Sequence, residues 1–112
     1  MAVIKQSDLP WSSIAHELVG DEHGGIGLCV IFVDAEPGRG PALHTHPYDE
    51  VLIIQEGRAT ATVGGETVEV GPGDIVLIPA GEPHAFTNTG DINLRQIDIH
   101  ASARFSTEWL VG

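Results

Sequence analysis

Glycine and proline cut this chain into short pieces. The 112 residues hold 14 glycines and 7 prolines, and these recur between short apolar runs, which is the rhythm of strands joined by turns. "GLCVIFVD" (27–34) is a continuous apolar run rich in β-branched residues, so both of its faces are expected to be covered. "ALHTH" (42–46) is extended, because the proline that follows His46 disfavours helical geometry there. "EVLIIQE" (50–56) is a strand ended by Gly57. "RATATV" (58–63) and "ETVEV" (66–70) flank two glycines and form a hairpin. "IVLIP" (75–79), "HAFTN" (84–88) and "INLRQIDIHA" (92–101) complete the series. "SSIAHELVG", near the start, reads as a strand or one helical turn, and "RFSTEWL", near the end, as a last strand or a short helix. About eight close-spaced strands with no amphipathic helix predict an all-β chain, as an antiparallel barrel or two-sheet sandwich.

The length fits one domain, residues 1–112, with a modest core. Sixteen acids against five bases give a net charge of −11 with no basic cluster. That balance excludes nucleic acid as a partner, and likewise an anionic membrane surface. It favours metal cations. The single cysteine, Cys29, rules out an internal disulfide and reads as a buried thiol. The N-terminus carries no apolar leader, and no run approaches the ~20 apolar residues of a spanning helix, so the expected location is the cytoplasm. Runs 27–34 and 50–56 are apolar on both faces, and a barrel this small leaves one face outside. A second copy of the chain is expected to cover it, as a homodimer.

The chemistry concentrates in "GPALHTHPYDE" (40–50). Residues i and i+2 of a strand share a face about 7 Å apart, so His44 and His46 can lean onto one ion at about 2.1 Å each. Glu50 opens the next strand after a turn and can return its carboxylate to the same point. His84, at the start of a later strand, is a fourth candidate if that strand lies beside 42–46. Imidazole with carboxylate suits first-row divalent metals.

The spacing of these residues resembles the cupin superfamily. Gly38, five residues, His44-Thr45-His46, three residues, Glu50, six residues and Gly57 match its first motif, about 38–57. Gly73, five residues, Pro79, one residue, Gly81, two residues, His84, three residues and Asn88 match the second, about 73–88. Fifteen residues separate the motifs, and residues 1–26 precede them as an N-terminal extension. The resemblance implies an antiparallel double-stranded β-helix, the jelly-roll barrel, with a mononuclear metal held by His44, His46, Glu50 and His84. Some members of the family do not use the glutamate as a ligand. The implied cofactor is one divalent transition metal: iron, manganese, nickel, cobalt, copper or zinc.

Four protein ligands leave two positions open on an octahedral ion. The expected activity is therefore a metal-dependent oxygenase, lyase or isomerase acting on a small oxygen-rich or carbonyl-containing molecule. The alternatives are a non-catalytic module that binds a small molecule or metal, and a closed structural zinc site. Asp98 and His100 are the candidates for a separate acid or base. Period two places them with Gln96 on one face of 92–101 and Arg95, Ile97 and Ile99 on the other. The expected arrangement sets the isoleucines in the core and the polar row in solvent. In the alternative, the polar row lines a pocket. Trp11 and Trp109, in the terminal segments, are expected to pack at an interface or lid, and His16 and His23 to stay away from the metal.

Overall fold

A computed structural model describes residues 1–110. Ten strands follow one another: β1 Ala15–Val19, β2 Cys29–Ala35, β3 His44–Thr45, β4 Glu50–Glu56, β5 Ala59–Val63, β6 Glu66–Val70, β7 Ile75–Ile78, β8 His84–Asn88, β9 Leu94–His100 and β10 Glu108–Trp109. Both ambiguous segments are strands, β1 and β10. Two short 3-10 turns, Gln6–Asp8 and Gly20–Glu22, are the helical elements among the described residues. None is long and apolar enough to cross a membrane.

The strands form two five-stranded sheets, ordered β1-β2-β9-β4-β7 and β10-β3-β8-β5-β6. Every pairing is antiparallel. The β5–β6 hairpin turns through Gly64 and Gly65, whose φ values of 58° and 85° suit the tight turn matched to strand twist. Period-two burial is clearest in β4, where Glu50, Leu52 and Ile54 point inward while Val51 and Ile53 are half-buried outside. Leu52 and Ile54 join Val33, Val76, Ile78, Phe86 and Leu94 in one core cluster. Each such side chain contributes about 1.5–3 kcal/mol on burial.

The register sorts the interior along the barrel. Glu50 stands opposite His100 on one side and Ile78 on the other, and Cys29 stands opposite His100. In the second sheet His44 stands opposite His84 and Trp109. One end of the interior is thus rich in imidazole and carboxylate, and the other, around Ala35, Ile54, Ala59 and Leu94, is apolar.

β9 corrects the expected arrangement of "INLRQIDIHA". Gln96, Asp98 and His100 point inward and are 1%, 2% and 2% exposed, while Ile97 and Ile99 lie on the outer face, half-buried. The physical reason is the position of β9 between β2 and β4, whose inward residues Val33 and Leu52 stand opposite Gln96 and Asp98. A central strand must keep register with both neighbours, so its polar row goes inside with theirs.

Candidate metal centre

His44 leads β3, His46 ends the stretch that follows it, and Glu50 opens β4 after the Pro47 turn. His84 leads β8, the hydrogen-bonded neighbour of β3. All four side chains are buried, and each offers one ligand atom within 4.8 Å of the others. The strand adjacency that brings His84 to the other two histidines could not be read from its place in the chain.

The imidazoles are held in one tautomer. His44 Nδ1 donates to the Ala42 carbonyl at 2.6 Å, His46 Nδ1 to the Ser106 carbonyl at 2.9 Å, and His84 Nδ1 to the Glu82 carbonyl at 2.9 Å. A carbonyl only accepts, so each Nδ1 carries a proton, and Nε2 is the ring atom left to face the interior. His84 Nε2 lies 3.0 Å and His46 Nε2 3.3 Å from Glu50 Oε1. His46 Nε2 is buried without a hydrogen bond of acceptable geometry. Three inward imidazole nitrogens and a carboxylate oxygen, each anchored from behind, form a ligand set that fits a divalent transition metal.

His100 stands behind this group. Its Nε2 is 3.0 Å from Glu50 Oε2, and its Nδ1 is 2.7 Å from the Tyr48 hydroxyl. Tyr48 stacks on His46 with an interplanar angle of 8°. Glu50 therefore divides its oxygens, Oε1 toward the ligand group and Oε2 toward His100. Burial alone would raise the Glu50 pKa, but contacts from His100, His46 and His84 outweigh it and hold the carboxyl well below the usual range. Burial pulls His44 down, toward the neutral form. It pulls on His84 too, but the Glu50 carboxylate and the Glu82 carbonyl leave that group raised.

Asp98 takes the opposite course. Burial and the nearby Glu50 charge raise it well above its usual value, against a 2.7 Å hydrogen bond donated by Gln96 Nε2. Asp98 and His100 line a cavity of about 430 Å³ with the four clustered residues. Ile31, Val33, Phe86 and Trp109 also contribute to its wall. The Trp109 ring lies 4.9 Å from that of His44, which makes it a wall of the site. His16, beside Trp11 at 4.9 Å, and His23, at the end of a 3-10 turn, lie outside the cavity. Cys29 is fully buried, and burial raises its thiol pKa.

Sequence reasoning missed Tyr48, Ser106 and the cavity wall contributed by Ser12, Ser13 and Arg39. Tyr48 carried a faint signal, two residues beyond His46. The others carried none, because they come from loops and terminal segments whose path depends on the barrel.

A closed pair of antiparallel sheets, with three imidazoles and a carboxylate gathered at one end where they could hold a metal, defines a double-stranded β-helix. The profile of the cupin domain matches residues 31–100, and the chain belongs to the cupin family. It is 32% identical over 80 residues to the polyketide synthase CurC of Streptomyces cyaneus, covering 70% of this chain and 49% of that one. It is 43% identical over 53 residues to an (R)-mandelonitrile lyase of Granulicella tundricola, covering 46% of this chain and 40% of that one. The chain spans half or less of the length of these curated relatives. Among solved structures, a cupin-like protein of Thermotoga maritima superposes with a TM-score of 0.76 at 26% identity, over 98% of this chain and 89% of that one. Oxalate decarboxylase of Bacillus subtilis superposes with a TM-score of 0.81 at 22% identity, over 96% of this chain and 31% of that one, a likeness of fold.

Proposed function

We propose that this protein is a metal-dependent enzyme of lyase or isomerase type. It holds one divalent transition metal through the Nε2 atoms of His44, His46 and His84 and through Glu50 Oε1. The observation that carries this reading is the inward convergence of those atoms while the Nδ1 of each of these three histidines is tied to a backbone carbonyl. A bound ion would supply Lewis-acid polarisation of a substrate oxygen.

The chain's own residues supply the rest. The cavity opens onto the ligand group, which favours a small-molecule substrate over a closed structural zinc site. Asp98, whose pKa is raised by burial and by the nearby Glu50 charge, presents an acid on the cavity wall able to give a proton to a substrate atom. Gln96 holds one oxygen of that carboxyl in place. His100 and Tyr48 orient Glu50 from behind. The apolar wall limits water around the reacting group and strengthens each charge interaction inside. Similarity to an (R)-mandelonitrile lyase supports the lyase reading.

Elemental analysis of protein purified without added metal tests the centre. About one divalent ion per chain is expected, and the double variant His44→Ala, His46→Ala is expected to lose it while keeping its strand signal in circular dichroism. Unchanged metal content in that variant would sink the ligand assignment.

A further inference from the structure

The lip of the cavity carries one cation. Of the five basic residues, Arg39 alone lines the cavity. Its guanidinium has no carboxylate partner among the described residues, although acids outnumber bases sixteen to five. Its side-chain contact is Ser13, whose Oγ accepts from Nη2 at 3.3 Å.

Both partners are mounted with care. Gly38 donates its N–H to the Asn88 carbonyl at 2.8 Å, and the Asn88 N–H donates to the Arg39 carbonyl at 2.9 Å. Gly40 packs so closely that an added Cβ would fall 1.9 Å from the Phe86 carbonyl oxygen. The loop is thereby fastened to β8, the strand that carries His84. Ser13 has a φ of 78°, the sole positive value of any non-glycine among the described residues. Such a conformation costs about 1–3 kcal/mol and persists where the surroundings enforce it. Here the enforcing contacts run from the Ser12 N–H and hydroxyl to the Ala15 carbonyl, at 2.8 and 3.2 Å.

We propose that Arg39 and Ser13 form an anion-binding lip that receives the carboxylate of the substrate, whose apolar body lies along Ile31, Val33 and Phe86 and whose far end reaches the metal centre. The substrate class is a small organic monoacid with an apolar body and a second oxygen. This inference rests on the proposed metal-dependent reading of the same cavity. Three acids share the cavity wall. None of these three, Glu17, Glu50 and Asp98, pairs with Arg39. Guanidinium suits a carboxylate because its paired N–H groups match the two oxygens.

The test is calorimetric titration of the purified protein, at its measured metal content, with benzoate, 3-phenylpropanoate and 2-methylpropanoate and with the primary amide of each. At least one acid is expected to bind about tenfold or more tighter than its amide. Arg39→Gln is expected to erase that preference, leaving amide binding, metal content and melting temperature unchanged, and Arg39→Lys to restore part of it. No acid-over-amide preference in the native protein, or an equal preference in Arg39→Gln, would overturn the anion site. An Arg39-dependent preference in protein that holds no metal would keep the anion site and defeat the metal reading. Bound metal with an Arg39-independent preference would do the reverse.

Discussion

At the scale of single residues, the surroundings move two neighbouring buried carboxyls in opposite directions. Three imidazoles lower the Glu50 pKa against the effect of burial, whereas burial and the nearby Glu50 charge raise that of Asp98 against the Gln96 hydrogen bond. The folded chain thus binds the Asp98 proton more tightly than the unfolded chain does. Its stability falls as pH rises above the ordinary carboxylate value of 3.8 toward the raised folded value. Asp98→Asn removes this penalty. Metal-free Asp98→Asn is expected to melt above the parent at neutral pH, with the gap closing below about pH 4; a gap independent of pH in thermal melts would refute the raised Asp98 pKa. Tyr48, with its hydroxyl pushed up to about 12, first by burial, is the group that fixes His100 behind Glu50. Tyr48→Phe is expected to weaken metal affinity about tenfold without abolishing it, as outer partners of ligands commonly do. Competition with a chromophoric chelator measures this.

At the scale of elements, strand alternation carries the site. β4 sends Glu50 inward with Leu52 and Ile54, and β9 sends Asp98 and His100 inward with Gln96 and Leu94. A one-residue slip would turn both sets outward. Gly40 guards the join between the loop before β3 and the end of β8. Its replacement by alanine forces backbone apart rather than a flexible side chain. Gly40→Ala is expected to cost about 1–3 kcal/mol in urea unfolding. The N-terminal residues, read as an extension before the motifs, supply the edge strand β1 and, through Ser12 to Ala15, part of the cavity wall.

At the scale of the molecule, the outer face of the first sheet is the main apolar surface. Ile75 and Leu77 of β7 are 60% and 70% exposed, and Val51, Ile53, Ile97 and Ile99 continue the face inward across β4 and β9. We propose that a second copy of the chain covers this face, because a sheet face packs well against its own twofold mate. Sedimentation equilibrium is expected to give twice the 11.9 kDa chain mass, and Leu77→Lys to return a monomer that still retains its metal. A monomeric parent protein would refute the dimer.

Much of this was legible along the chain because it is local. Turn glycines, β-branched runs and the Gly64–Gly65 hairpin declare the strands, since backbone preference acts within a few residues. The paired motifs name His44, His46, Glu50 and His84 as a set by their spacing, and their meeting within 4.8 Å required the β3–β8 pairing. The inward face of β9 belonged to the tertiary structure, because period two defines two faces without saying which is inside. So did Tyr48 behind Glu50, and Arg39 beside Ser13 twenty-six residues away. Alternation and turn chemistry are properties of neighbours in sequence, whereas the enclosure that decides charge, orientation and access arises only when distant strands close around a common interior.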